Sequence, residues 1–169
     1  MPLSFFANLY AKKFSKFDAK HILANLTELD QKYGILGIDD KKVIVRSKEI
    51  FDKYKVSYGH FAMEIDFANP TRVICRGGRF WKKSQCRPHY HIYYAAHRDP
   101  NETTVCVGGC SESLRNAIEQ SFDLVAHMNI IDDMLQNSDH VLNGLYNKCK
   151  VCDDVIPGPN KRVCDECKD

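Results

Sequence analysis

Helical periodicity marks three segments of the chain. Asp18 is a good N-cap, and the apolar residues after it recur at helical spacing until Gly34 supplies a stop. Ser47 predicts the start of a short helix that extends to about Tyr54. The longest helix is expected from Ser111 onwards, because one continuous apolar stripe runs along it: Leu114, Ala117, Ile118, Phe122, Val125, Met128, Ile131 and Leu135. Such stripes are typical of helices that pack on a core.

β-Branched and aromatic residues predict strands in the middle of the chain. The segments are Lys41–Arg46, His60–Phe67, Arg72–Phe80, Arg87–Ala96 and Thr103–Val107. The third and fourth are joined by the polar, basic connection Lys82–Gln85, which predicts a β-hairpin. Strands that cluster between helices favour an α+β domain, with a small antiparallel sheet covered by helices on one face.

The order of these elements predicts a core domain in residues 1–145 and a cysteine module in residues 146–169. A chain of 169 residues is long enough for one hydrophobic core, and its 44% hydrophobic and 27% charged content is ordinary for a soluble globular protein. No apolar run approaches the roughly 20 residues that cross a bilayer. The first residues, Met1–Phe6, lack the features of a signal peptide. We therefore expect an intracellular protein without a membrane partner, in the cytoplasm or nucleoid, or in the host cell if it is viral.

Four cysteines of the module have the spacing of a metal site. Two CxxC pairs, Cys149–Cys152 and Cys164–Cys167, are separated by eleven residues. Two residues between cysteines let both thiolates reach one ion, and two pairs complete the tetrahedral shell that Zn²⁺ favours at structural sites. We predict structural Zn²⁺ at Cys149, Cys152, Cys164 and Cys167, and the spacing leaves iron open as an alternative. The residues between the pairs, 154–163, fit a hairpin with a Pro-Gly-Pro tip.

Residues 149–167 resemble zinc ribbons and short treble-clef zinc modules, in which a CxxC pair, a hairpin and a second CxxC pair recur. The resemblance implies a fold element rather than an activity. From Cys149 onwards the four cations, Lys150, Lys161, Arg162 and Lys168, are outnumbered by five acids, which are Asp153, Asp154, Asp165, Glu166 and Asp169. Such a charge is unfavourable for phosphate binding, so a structural role or contact with a protein partner is favoured.

The other four cysteines have no standard ligand spacing. They are Cys75, Cys86, Cys106 and Cys110. A free cysteine most often behaves as a buried small hydrophobe, and we favour that interpretation. A second metal site that uses these cysteines or the histidines, such as His97 or His127, stays open.

A long stretch without carboxylates points to nucleic acid. No Asp or Glu occurs from Phe67 to Arg98, and the cations of this stretch are interleaved with aromatic residues. Cations neutralise phosphates, and aromatic faces stack on unpaired bases. The predicted nucleic-acid-binding residues are Arg72, Arg76, Arg79, Trp81, Lys82, Lys83, Arg87 and Tyr90. The alternative is a solvated sheet face whose aromatic residues turn inward.

A histidine pair lies inside this stretch. In the segment Arg87-Pro88-His89-Tyr90-His91-Ile92, both histidines would share one face of a strand. The segment resembles the second motif of the HUH endonucleases, the rolling-circle replication initiators. That resemblance implies Mg²⁺ or Mn²⁺ held by His89, His91 and an acid, with Glu64 or Asp66 as candidates. It also implies a tyrosine nucleophile, for which Tyr146 is the candidate.

A helix-turn-helix is a further hypothesis. Residues 47–59 resemble the first helix and turn of that motif, with Tyr58–Ile65 as the recognition helix. The strand-like alternation of residues 61–67 opposes it.

Three functions remain open. The favoured one is a zinc protein that binds nucleic acid, DNA rather than RNA, such as a viral or phage regulator that contacts transcription or replication machinery. The second is a metal-dependent nuclease, and the third is a protein-interaction module that inhibits a host enzyme. Whether the chain is an enzyme is undecided.

Overall fold

The computed structural model describes residues 2–79, 89, 91–94, 103–138, 146–152, 155–157, 163 and 165–168, with the backbone alone for 93–94, 146–148 and 155–157. Within these ranges the helices are α1 (Leu3–Lys13), α2 (Ala19–Lys32), α3 (Ser111–Glu119) and α4 (Leu124–Leu135). The strands are β1 (Ile35–Ile38), β2 (Lys42–Arg46), β3 (Ile50–Phe51), β4 (Ser57–Gly59), β5 (Phe61–Asp66), β6 (Val73–Gly77), β7 (Ile92–Tyr94), β8 (Thr103–Val105), β9 (Tyr146–Lys148) and β10 (Val155–Pro157). The predicted α+β class is confirmed.

A six-stranded antiparallel sheet organises the fold, in the order β1-β2-β5-β6-β8-β7. Alternate strand residues such as Val43, Met63 and Cys75 join side chains from all four helices in one core cluster. Asp18 caps α2 as predicted, because its side chain accepts a hydrogen bond from the backbone N–H of His21. β2, β5, β6, β7 and β8 all form within segments predicted to be strands, whereas α1 and β1 had not been predicted.

The second face of the sheet carries no helix in the described part of the chain. Its side chains are the alternate ones, Lys42, Ile44, Arg46, Ala62, Glu64, Asp66, Ile74, Arg76 and Thr104. Of these only Glu64 is buried, whereas the core-facing positions beside them are fully enclosed. We call this surface the open face.

The long helix predicted from Ser111 is wrong, because the chain breaks it into α3 and α4. Phe122 lies between them with a φ of 39°, and Asp123 caps α4 by accepting from the N–H of Ala126. Asn25 on α2 donates its side-chain amide to Asp123 and accepts from the N–H of Leu124. The apolar stripe continues across the break, so periodicity alone does not reveal it.

The predicted short helix from Ser47 to Tyr54 is also wrong. This segment contains the two-stranded hairpin β3–β4. Buried Asp52 makes the turn between these strands, accepting hydrogen bonds from the N–H groups of Tyr54 and Val56. The helix-turn-helix hypothesis is therefore contradicted, because the residues of its recognition helix lie in β4 (Ser57–Gly59) and β5 (Phe61–Asp66).

The predicted hairpin between the segments 72–80 and 87–96 is not formed. β8 lies between β6 and β7 and pairs with both, while the other edge of β6 pairs with β5. The connection 82–85 lies outside the described residues. The polar connection had predicted that these two segments pair with each other, but β8, which comes later in the chain, pairs with β6 instead.

Candidate metal centre and basic sheet face

The first CxxC pair lies at the end of a two-stranded hairpin. β9 and β10 pair antiparallel, with Lys148 opposite Val155, so residues 149–152 fall in the connection between the strands. There the backbone N–H of Val151 donates to the Sγ atom of Cys149 at 3.4 Å. An N–H aimed at sulfur stabilises a thiolate, which is the form that binds metal. The predicted hairpin tip at 157–159 lies largely outside the described residues, and β10 pairs with the strand that precedes the first CxxC pair.

Three cysteines of the module come together. The Sγ atoms of Cys149, Cys152 and Cys167 lie within 4.8 Å of one another, with Cys167 at the end of the 3₁₀ turn Asp165–Cys167. Two sulfurs of a tetrahedral zinc shell are separated by about 3.8 Å, given a Zn–S distance of about 2.3 Å. The three residues could therefore hold a metal ion. Cys164, the fourth predicted ligand, lies outside the described residues.

The remaining described cysteines form no such group. Cys75 is fully buried in β6, and burial raises the pKa of its thiol, as expected for a packed hydrophobe. Cys106 and Cys110 are partly exposed. Across the ranges that the structure covers, no other cluster of three His, Cys, Asp or Glu ligand atoms lies within the same distance. Cys86 and His97 fall outside those ranges.

His89 is a structural residue of the core. Its Nε2 atom donates to the carbonyl oxygen of Leu135 at 3.0 Å, and its Nδ1 atom accepts from the N–H of His91 at 3.1 Å. The Tyr58 ring packs edge-on against it, with centroids 4.9 Å apart. Burial lowers the pKa of His89 to about 4, so the ring is neutral at pH 7. Both nitrogens are thus occupied within the protein.

The proposed HUH ligand set is not assembled. Both histidines were predicted to lie on a strand, but β7 begins only at Ile92, so neither His89 nor His91 belongs to it. Glu64 lies on the open face, where it forms ion pairs of 3.2 Å with Lys42 and with Arg76, whereas His89 is bonded to a core helix. The described residues therefore contain no site for Mg²⁺ or Mn²⁺ at these positions. Asp66 accepts from the N–H of Ala68, and only the backbone of Tyr146 is described, in β9.

The acid-free stretch supplies two strands of the sheet, β6 and β7, and side chains are described at both ends of β6. Arg76 projects from β6 onto the open face, Arg79 follows the strand and is exposed, and Arg72 precedes it and is half-buried. Gly78 has a φ of 80°, and a Cβ atom there would lie 2.1 Å from the Phe61 ring, so glycine is required where the chain leaves β6. The other predicted nucleic-acid contacts, Trp81, Lys82, Lys83, Arg87 and Tyr90, lie outside the described residues.

A shallow depression of about 330 Å³ lies at one end of the open face. It is lined by Leu36, Arg46, His60, Phe61, Ala62, Arg76 and Gly77, none of which carries a carboxylate. The sequence had singled out only Arg76 among them. The alternation in Lys42–Arg46 could have placed Arg46 on the face opposite Val43 and Val45, but strand order was needed to bring it near Arg76.

Comparisons with known proteins identify no relative: no protein-family model matches the chain, and neither the curated proteins nor the solved structures contain a match. Among the helices described, none combines the length and the apolar character needed to span a membrane.

Proposed function

We propose that this chain is a zinc-stabilised nucleic-acid-binding protein, with DNA favoured over RNA. The observation that carries the proposal is that β6, a strand without acids, presents Arg76 on the open face, which no described helix covers. Arg76 there has Arg46 of β2 as a second cation two strands away. Cations on an accessible sheet are suited to a polyanionic backbone.

The local charge distribution supports this proposal. The two carboxylates of the open face are Glu64, which is held by Lys42 and Arg76, and Asp66, which lies at the opposite end of β5 from Ala62. The end that contains Arg46, His60 and exposed Arg79 presents no described carboxylate from the strands. A phosphate chain that approaches this end would meet positive charge, and the nearest strand carboxylate, Glu64, is paired with two cations.

Zinc is the metal that the cysteine module favours. An all-thiolate donor set selects soft or borderline ions, and tetrahedral four-sulfur sites are typical of Zn²⁺ or of iron. The three gathered cysteines, with Cys164 as the fourth ligand, fit a closed structural site that leaves no position for substrate. Metal analysis after extensive dialysis should return about one zinc ion per chain. Iron in its place, or a metal-free protein with an ordered module, would contradict this assignment.

Nucleic-acid binding is tested by fluorescence anisotropy with labelled single-stranded DNA, duplex DNA and RNA across a salt series. We expect binding whose affinity falls with salt, with a slope that decreases by roughly 0.7–0.9 for each phosphate contact removed. Arg79→Ala should reduce both affinity and slope. Lys20→Ala, which removes an exposed cation at the start of α2, is the matched control and should change neither. If the wild-type protein binds none of these probes at low salt, the proposal fails and a protein-interaction role becomes the better hypothesis.

A further inference from the structure

The depression at the end of the open face has a symmetric arrangement of cations. Ala62 on β5 pairs in register with Arg46 on β2 and with Arg76 on β6. Directly opposed residues on one face have Cβ atoms about 5 Å apart, so the two arginines flank the alanine methyl group about 10 Å from one another. A small residue therefore forms the floor, and a guanidinium group rises on each side of it.

The two arginines differ in how their charge is compensated. Arg76 is held by Glu64 at 3.2 Å, which orients it, while Lys42 bonds the other oxygen of that carboxylate. Arg46 is exposed and, within the described residues, forms no ion pair. Its guanidinium therefore presents donors to solvent at the edge of the depression. Planar guanidinium groups match the oxygens of a phosphate in geometry and charge.

The remaining lining adds an imidazole and an apolar surface. Exposed His60 has its Nδ1 atom 2.9 Å from the carbonyl oxygen of Ser47, which can only accept, so Nδ1 carries the hydrogen and Nε2 stays available. Leu36 is 57% exposed beside it. The depression thus combines an apolar floor with polar groups at its rim, as sites for nucleotides do.

We infer that the depression bounded by Arg46, Arg76, His60 and Leu36 is the seat for one nucleotide of a single-stranded nucleic acid. The phosphate lies between the two arginines, and the base lies over Ala62 and Leu36. Its volume of about 330 Å³ is at the lower end of the roughly 300–1,000 Å³ of small-ligand sites, which suits one unpaired nucleotide. This inference rests on the proposed function and specifies where that function is located and which strand state is bound.

Two substitutions separate the charge of the seat from its shape. Arg46→Ala removes the uncompensated cation, and Ala62→Leu fills the floor while both arginines remain. Because Arg46 is exposed and Ala62 faces the open side of the sheet, both variants should fold, which far-UV circular dichroism and thermal melting would verify. Lys20→Ala again serves as the control.

The measurement is anisotropy with a labelled oligothymidylate of about ten nucleotides, within the usual site size of single-strand binders. We expect Arg46→Ala to weaken binding about tenfold, as for the loss of a charged hydrogen bond, and to reduce the salt slope by about 0.7. Ala62→Leu should weaken binding with little change in slope. Duplex DNA of the same sequence should bind more weakly than the single strand.

Each contrary result has a distinct meaning. If the wild type binds the oligonucleotide and Arg46→Ala binds equally well, the seat is wrong while the proposed function stands. If Arg46→Ala weakens binding but Ala62→Leu does not, Arg46 acts through charge alone and the seat is again overturned. If thymidine monophosphate or inorganic phosphate competes as effectively as the oligonucleotide, the ligand is a free anion and the assignment to a strand fails. If no probe binds the wild type at low salt, the proposed function itself fails.

Discussion

The sheet-and-helix region, residues 2–138, and the cysteine module, residues 146–168, are held together in different ways. In the first region one cluster of buried apolar side chains joins all four helices to the sheet. In the module, among the residues whose burial is described, only Cys149 is buried, and Val151 is 69% exposed. Burial stabilises a fold in proportion to the apolar area removed from water, so this contribution is large in one region and small in the other. The comparison teaches that the module needs another source of stability, which the proposed metal site would supply.

Removing the metal should have the largest effect, and it should affect the stability of the module but not that of the larger region. A strong chelator or Cys149→Ser should melt the module, because binding of structural zinc contributes about 10–16 kcal/mol in comparable small units. The sheet-and-helix region should keep its melting temperature. Two-dimensional NMR and zinc analysis on the same sample measure both outcomes. Cys110→Ser is the matched control, because Cys110 is partly exposed and belongs to no described ligand cluster. A module that stays ordered without metal would contradict the comparison.

A second substitution tests the core of the larger region instead of the module. Leu26 on α2 is fully buried, so Leu26→Ala should lower the free energy of unfolding by about 2–5 kcal/mol through lost burial and the cavity that remains. Urea denaturation followed by far-UV circular dichroism measures this change. Zinc release during the same titration should occur at the same urea concentration as in the wild type. Release that moves to lower urea together with the core would show that the module depends on the larger region, against the predicted domain boundary.

Acid should weaken the larger region through its buried histidines. Burial lowers the pKa of His89 from 6.5 to about 4 and also lowers the pKa of His127, whose Nε2 atom donates to the carbonyl oxygen of Pro70. The unfolded chain binds a proton more readily than the folded one, so this stability is present above about pH 6.5 and is lost as the pH falls towards 4. For His89 the loss is on the order of 3 kcal/mol, at about 1.36 kcal/mol for each pKa unit.

Urea unfolding of the metal-free protein at a series of pH values would measure this dependence without interference from zinc release. His89→Gln should make this dependence shallower between about pH 6.5 and pH 4. An equally steep dependence in His89→Gln would show that this ring does not titrate on unfolding.

Local patterns predicted the elements better than their arrangement. The α+β class, helix α2 with its Asp18 cap and the strands β2, β5 and β6 follow from spacing and propensity over a few residues. The insertion of β8 between β6 and β7 does not, because strand pairing depends on contacts between segments distant in the chain. Helix α1 has no side-chain cap and no acid in its first turn, so the usual signs of a helix start are missing.

The candidate sites show the same difference between what local spacing predicts and what depends on the folded arrangement. Short spacing within CxxC pairs predicted the cysteines that the structure brings together, because two thiols on one tight turn need little help from the fold. The two histidines were spaced as closely, but they form no metal site. His89 is buried and both of its ring nitrogens bond backbone groups, so this residue has a structural role. Arg46 was missed because its proximity to Arg76 exists only once β5 lies between their strands.

The smallest expected effects concern two helix N-caps, whose contributions to the free energy of unfolding of the larger region can be compared. Asp123 accepts from the N–H of Ala126 at the start of α4 and from the side-chain amide of Asn25 on α2. Asp123→Ala should lower the free energy of unfolding by about 1–2 kcal/mol, because the cap is lost and a largely buried amide donor is left without its acceptor. Asp18→Ala removes a cap that is exposed and has no second partner, so it should cost about 1 kcal/mol or less. Urea denaturation gives both values, and neither variant should alter zinc content. Equal costs for the two variants would show that the hydrogen bond from the Asn25 amide to Asp123 adds nothing to the cap.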